Sequence, residues 1–131
     1  MLVGKQFHFL HSVGKLEHYN IVTEKLDETI TFYVDVVGLE NGYRPDFEFP
    51  GAWLYIGAEA VVHLMKLGEN RDFGSGSIDH VAFSGNDFVG YKEHLDTMDI
   101  DYIDRFIEDA NIYQIFVIDP NGVKVEINFR Q

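Results

Sequence analysis

The chain consists of two copies of one pattern, and this internal repeat limits the possible folds more than any other feature of the sequence. The segments around His18 and His80 are similar: each is a short β-prone run in which a histidine follows an acidic residue. After each run comes a helical pattern, with apolar residues three or four positions apart, and then three further strand-like runs. The sequence therefore predicts an α+β fold made of two βαβββ modules.

The predicted modules span residues 16–66 and 78–129 of one domain, residues 16–131. Residues 1–15 are interpreted as an N-terminal extension, and residues 67–77, which are rich in glycine and serine, as the linker between the modules. A chain of 131 residues is typical of a single domain with a single core.

The predicted helices have recognisable ends. Gly38 should end the first helix, and Asp87 should cap the start of the second. Side chains on the strands alternate between two faces, so one face can pack against helices while the other lines a cavity. The three strands after each helix are predicted at 40–45, 52–56 and 61–65, and at 102–107, 113–118 and 123–129.

The composition excludes several classes of protein. Cysteine is absent, which excludes disulfides, thiolate metal ligands and thiol nucleophiles. A net charge of −12 with only 10 Lys and Arg residues argues against nucleic acid as a partner. No apolar run approaches the roughly 20 residues of a membrane span, and residues 1–15 do not resemble a signal peptide, so a cytoplasmic protein without a membrane partner is expected. An anionic substrate would need local partners such as Arg44, Lys66, Arg71 or Arg105.

Four potential metal ligands repeat with the modules. His63 follows His18 by 45 residues, and Glu126 follows His80 by 46. In each half, the first member lies in the first strand and the second member lies in the last strand. If the halves pack about a pseudo-two-fold axis, the four side chains would meet at one point and could hold a divalent metal through nitrogen and oxygen.

The same residues also have ordinary structural interpretations. A single histidine in an apolar run is often a hydrogen-bonded core residue, and Glu126 fits a solvated sheet face. His63 is harder to explain in this way, since a polar ring with apolar neighbours on both sides needs a partner. A group of aromatic residues could either line a substrate pocket or belong to the core: Tyr43, Phe47, Phe49, Trp53 and Tyr55.

Five segments resemble the vicinal oxygen chelate superfamily, which includes glyoxalases, bleomycin-resistance proteins and extradiol dioxygenases. These segments are Leu-Glu-His18-Tyr-Asn-Ile, Thr-Phe-Tyr33-Val-Asp-Val-Val-Gly38-Leu, Ala-Val-Val-His63-Leu, Ile-Asp-His80-Val-Ala-Phe and Asp119-Pro-Asn-Gly-Val-Lys-Val-Glu126-Ile. The resemblance covers residues 16–129. It implies a curled mixed sheet around a metal held by His18, His63, His80 and Glu126. It also implies a homodimer, in which modules pair either within a chain or between chains.

The resemblance further implies an enzyme with one divalent metal ion (Fe, Mn, Ni, Co or Zn), which a small substrate chelates through two adjacent oxygens. A lyase or isomerase, in which the metal stabilises an enediolate, is favoured over a ring-cleaving dioxygenase because four ligands are present. Glu126 is the candidate general base. Tyr113 is the second catalytic candidate, because extradiol relatives often carry an acid–base residue in this region.

One ligand departs from the best-known lyase branch. Glyoxalase I usually has Glu where this chain has His63, so a second carboxylate base is missing, which argues against methylglyoxal–glutathione chemistry. Dioxygenase relatives use the equivalents of His18, His80 and Glu126 and leave the fourth position open. The alternative from another class is a metal-free protein that binds a drug or metabolite, as bleomycin-resistance relatives do. A third interpretation is a buried, hydrogen-bonded cluster of the four residues.

Overall fold

The computed structural model describes residues 15–66, 78 and 80–130. Within these residues the chain forms two consecutive βαβββ modules, which confirms the predicted α+β arrangement. Apart from Lys15, the predicted N-terminal extension lies outside the described residues, and so does the predicted linker 67–77.

Each module has a helical segment and four strands. The N-terminal module contains β1 (Tyr19–Thr23), α1 (Leu26–Thr31) with a π-helical continuation (Phe32–Val37), β2 (Glu40–Gly42), β3 (Gly51–Ile56) and β4 (Glu59–Lys66). The C-terminal module contains β5 (His80–Gly85), α2 (Phe88–Thr97), β6 (Ile103–Ile107), β7 (Ile112–Ile118) and β8 (Lys124–Arg130).

Both predicted helix ends are confirmed. Gly38 ends the first helical segment with φ 101°, in the left-handed region that glycine adopts readily. Asp87 accepts a hydrogen bond from the backbone N–H of Gly90 at 3.1 Å. The first strand after α1 is shorter than predicted: β2 ends at Gly42, and the segment 43–50, which contains two prolines, lies outside the sheet.

The two modules form separate four-stranded sheets with the same topology, in the orders β1-β4-β3-β2 and β5-β8-β7-β6. In each sheet the first and last strands are parallel neighbours, and the remaining pairs are antiparallel. Asn20 pairs with His63 in one sheet, and Ala82 pairs with Glu126 in the other. His18, directly before β1, and His80, the first residue of β5, therefore each lie two residues before the partner of the last-strand residue, on the same face.

The helices and one face of each sheet enclose a core shared by both modules, which includes Leu54 and Ile115. Hydrogen bonds also cross between the modules. The hydroxyl of Tyr33 donates to Asp119 at 2.9 Å, and that of Tyr91 donates to the carbonyl of Val36 at 2.9 Å. These contacts lie on the helix side of the sheets, which leaves the opposite faces available for a site.

Within residues 15–66 and 80–130, no helix combines the length and the apolar character that crossing a membrane requires.

Candidate functional site

His80 and Glu126 lie together on the open face of the C-terminal sheet. Parallel pairing of β5 with β8 places them on one face, with Nε2 of His80 3.4 Å from Oε1 of Glu126. The side chain of Glu126 is only 10% exposed, whereas that of His80 is 41% exposed. A mostly buried carboxylate therefore directs one oxygen towards an accessible imidazole.

The second oxygen of Glu126 is held by a chain of polar side chains. Asn128 donates from Nδ2 to Oε2 of Glu126 at 2.7 Å, and Gln114 donates from Nε2 to Oδ1 of Asn128 at 2.9 Å. At the far end, Arg105 donates from Nε to Oε1 of Gln114 at 2.6 Å. The strand register explains this chain, since Arg105 pairs with Gln114 and Gln114 pairs with Asn128 across β6, β7 and β8.

A cavity of about 440 Å³ opens above the His80 and Glu126 pair. This volume is within the range of small-molecule sites in proteins. The cavity has an apolar portion formed by Ile103, Phe116 and Ile118, and a polar portion. The polar portion consists of His80, Asp101, Tyr102, Arg105, Lys124 and Glu126. All these residues belong to the C-terminal module.

His18 and His63 lie together on the N-terminal sheet, as one end of a column of stacked rings. The two imidazoles are parallel, with centroids 3.8 Å apart, and Trp53 stacks on the other side of His63 at 4.0 Å. Phe47 continues the column beside Trp53 at 6.2 Å. Phe47 is 42% exposed, so this part of the predicted aromatic group faces the surface and does not belong to the core.

The environment of His63 favours its neutral form. Burial lowers the pKa of His63 below 6.5, and nearby His18 and Arg44 lower it further, although the contact with the carbonyl of Ala60 has the opposite effect. Nε2 of His63 lies 3.1 Å from this carbonyl oxygen, which can only accept a hydrogen bond. The proton of neutral His63 is therefore on Nε2, and the lone pair is on Nδ1.

The structure brings the four predicted ligands together as two pairs and not as one group. Among the described residues, no group of three or more His, Asp or Glu side chains is arranged to hold a metal ion. His18 pairs with His63 on one sheet, and His80 pairs with Glu126 on the other. A four-residue site remains a prediction that requires the two open faces to meet.

The two pairs differ in how well their donor atoms are placed to bind a divalent metal. Two ligands about 2.1 Å from one ion are roughly 3.0–3.4 Å apart, which matches the separation of His80 and Glu126. For His63, a backbone carbonyl on one ring nitrogen is a common way to orient the other nitrogen towards a metal. The parallel rings of His18 and His63 cannot direct their lone pairs at a single ion as they are packed, so one ring would have to rotate.

Tyr113, the second predicted catalytic residue, does not share the cavity with His80 and Glu126. It stacks on Phe88 of α2, with centroids 4.5 Å apart, on the helix side of the sheet. Its neighbour Gln114 occupies the open face instead. A signal for Gln114 is present in the sequence, since it is the one polar side chain after Tyr113 in the apolar run Ile112–Ile118, and a buried polar group needs partners.

Comparisons with known proteins agree with this architecture. The model of the Glyoxalase/Bleomycin resistance protein/Dioxygenase superfamily matches residues 15–127. The chain is 29% identical over 120 residues to "Glyoxylase I 4" of Arabidopsis thaliana, covering 86% of this chain and 68% of that protein.

Solved structures share the fold. A lactoylglutathione lyase from Agrobacterium tumefaciens has a TM-score of 0.68 and 18% identity, covering 89% of this chain and 94% of that one. The fosfomycin resistance protein FosX from Listeria monocytogenes has a TM-score of 0.70 and 15% identity, covering 91% and 95%. With the family model matching most of its length, the chain belongs to the Glyoxalase/Bleomycin resistance protein/Dioxygenase superfamily.

Proposed function

We propose that this protein is a metal-dependent enzyme that acts on a small molecule with two adjacent oxygens, as a lyase or isomerase. The observation that carries the proposal is the His80 and Glu126 pair at the cavity, with donor atoms 3.4 Å apart and the second carboxylate oxygen already held by Asn128. A structure of a FosX mutant from Listeria monocytogenes is in complex with Mn(II), which supports metal binding in a protein of this fold.

A divalent ion bound by His80 and Glu126 would supply Lewis-acid stabilisation of negative charge on the substrate oxygens. The protein's own residues would bind and orient the substrate. Ile103 and Phe116 provide an apolar wall beside which the substrate would bind, and Glu126 would accept a substrate proton at Oε1 when that oxygen is not bound to the metal. Asn128 limits rotation of the carboxylate, because it holds Oε2.

We further propose that His18 and His63 complete the site from a second copy of the chain. The described residues of one chain leave the four ligands as two pairs, each on its own open sheet face, and the cavity is lined by the C-terminal module alone. In a homodimer, the N-terminal sheet of one protomer would cover the C-terminal sheet of its partner. The protein would act in the cytoplasm on a small-molecule substrate.

Metal binding is tested first by titrating metal-free protein with Zn²⁺, using His80→Ala and Glu126→Gln as the test variants. His94→Gln is the matched control, since His94 is exposed on α2 and hydrogen-bonds the carbonyl of Asp35. We expect one ion per chain in the wild type and the control, and a loss of at least tenfold in affinity in either test variant. Equal affinity in all four proteins would contradict the proposal.

Pairing between chains is tested by complementation. One variant combines His18→Ala with His63→Ala, and the other combines His80→Ala with Glu126→Ala. If the site forms between protomers, mixing the two under conditions of subunit exchange restores one intact site per heterodimer. If it forms within one chain, each protein retains a damaged site and mixing restores nothing.

The second candidate is a metal-free protein that binds a planar drug or metabolite, and the exposed aromatic column favours it. Trp53 stacks on His63, and the ring of Phe47 lies tilted at 46° beside Trp53, so the three rings form an aromatic surface for a flat ligand. Under this alternative, His80→Ala leaves ligand affinity intact, whereas Trp53→Ala reduces it. The same variants therefore separate the two functions.

A further inference from the structure

Arg105 is a positively charged residue of the cavity with N–H donors available for a ligand. It lies on β6 in an otherwise acidic protein of net charge −12, and lines the same cavity as His80 and Glu126. Its Nε donates to Gln114, and its guanidinium lies 5.2 Å from the ring centroid of Phe116. In residues 15–66 and 80–130, no carboxylate forms an ion pair with Arg105, so four of its five N–H donors remain available for a ligand.

The hydrogen-bond chain keeps Arg105 in place. An arginine Nε can only donate, so Gln114 must accept with Oε1 and donate with Nε2. Asn128 is oriented in the same way and donates to Glu126. The donor and the acceptor of each hydrogen bond in this series are therefore fixed, and the guanidinium is preorganised. Binding a ligand costs less side-chain entropy than it would with a mobile arginine.

The charges of the cavity are balanced in the absence of a ligand. Arg105 and Lys124 contribute two cations, and Asp101 and Glu126 contribute two carboxylates. A divalent ion at Glu126 would make the cavity positive, although the surrounding protein is strongly acidic. An anion would then be held by short-range contacts in the cavity and not by the overall field of the protein.

We propose that Arg105 binds an oxyanion of the substrate, so that the cavity takes small molecules with vicinal oxygens at one end and a carboxylate or similar anion at the other. This inference rests on the proposed function, because it names the substrate class of the same site. Arg105 is thus a specificity residue, and Gln114 and Asn128 are positioning residues that join it to Glu126.

The test uses catechol and 3,4-dihydroxybenzoate, two probes that share vicinal oxygens and differ in one carboxylate. Calorimetric titration is carried out on the full chain, both Zn²⁺-loaded and metal-free, because Zn²⁺ has no redox chemistry. The variants are Arg105→Gln and, as a matched control, Arg130→Gln, which removes the same charge from an exposed position of β8 outside this cavity.

We expect the wild type and Arg130→Gln to bind 3,4-dihydroxybenzoate about tenfold more tightly than catechol, a difference of about 1.4 kcal/mol. In Arg105→Gln the two probes should bind with equal affinity, because the preference for the carboxylate is lost. Metal-dependent binding of both probes without a preference for the carboxylate would overturn the inference but leave the proposed function intact. A preference that depends on Arg105 and is the same with and without metal would support the inference and count against the proposed function. Failure of both probes to bind in either form would overturn the inference.

Discussion

Asn128 donates a hydrogen bond from Nδ2 to Oε2 of Glu126, two residues away on the same face of β8, over 2.7 Å. The contact leaves Oε1 as the carboxylate oxygen beside His80. Asn128 should therefore fix the orientation of the Glu126 carboxylate towards a metal without binding the metal itself.

Replacing Asn128 with alanine should weaken metal binding without abolishing it. Loss of a partner that orients a metal ligand typically reduces affinity by about 10-fold to 100-fold. Zn²⁺ titration of Asn128→Ala measures this loss. Asn41→Ala, an exposed substitution of the same kind on β2, should bind as the wild type does. Unchanged affinity in Asn128→Ala would show that Glu126 needs no support from this side chain.

Trp53 provides an optical test of whether His63 takes part in metal binding. It is the only tryptophan of the chain, and its ring stacks on His63 at a centroid distance of 4.0 Å. A metal ion on His63 should alter this contact and change the fluorescence of Trp53. We expect Zn²⁺ to produce a fluorescence change in the wild type that is lost in His63→Gln. The same change in both proteins would place the ion elsewhere.

Replacing Tyr33 with phenylalanine should destabilise the fold, because Asp119 would lose a hydrogen-bond donor at the junction of the modules. Asp119 is 4% exposed, and the backbone N–H groups of Asn121 and Val123 remain its donors. We expect a loss of about 1–3 kcal/mol in the free energy of unfolding, measured by urea denaturation. Tyr43→Phe is the control, since Tyr43 is 76% exposed and should change stability by less than about 0.5 kcal/mol.

Tyr91 should make the protein sensitive to alkaline pH. Burial raises the pKa of Tyr91 from 10.0 to about 12 in the folded state. Between these values the unfolded chain loses the tyrosine proton while the folded chain retains it, so stability falls as the pH rises from about 10 to about 12. Tyr91→Phe removes this contribution, although it also removes the hydrogen bond to Val36 at every pH. Urea midpoints at about pH 9 and about pH 11 should therefore differ less in Tyr91→Phe than in the wild type. An equal difference would assign the alkaline sensitivity to other groups.

Local signals were sufficient to predict the modules. Hydrophobic spacing located the helices, and Gly38 and Asp87 marked ends that the structure confirms. The π-helical segment Phe32–Val37 was not predicted, because hydrogen bonding between residues five apart instead of four has no clear signature in a single sequence. The exclusion of segment 43–50 from the sheet was also missed.

The site was harder to predict, because it depends on strand register. Tyr113 and Gln114 are adjacent, and only the pairing of Gln114 with Asn128 determines which of them faces the cavity. That pairing joins distant parts of the chain. The sequence predicted that His80 and Glu126 lie close together, as they do, but it did not predict the hydrogen-bonded side chains from Gln114 to Asn128 that hold the carboxylate.

The parallel pairing of first and last strands also bears on how the protein folds. Tyr19 pairs with Val62 and His80 pairs with Lys124, so neither sheet can close until the end of its module has been synthesised. Such distant pairings carry a large loop-closure cost and slow folding. During translation, the N-terminal module can complete its hydrogen bonding before β8 leaves the ribosome. A nascent chain that stops at β7 lacks β8, the partner of β5. It would expose the unpaired edge of β5 and be prone to aggregate.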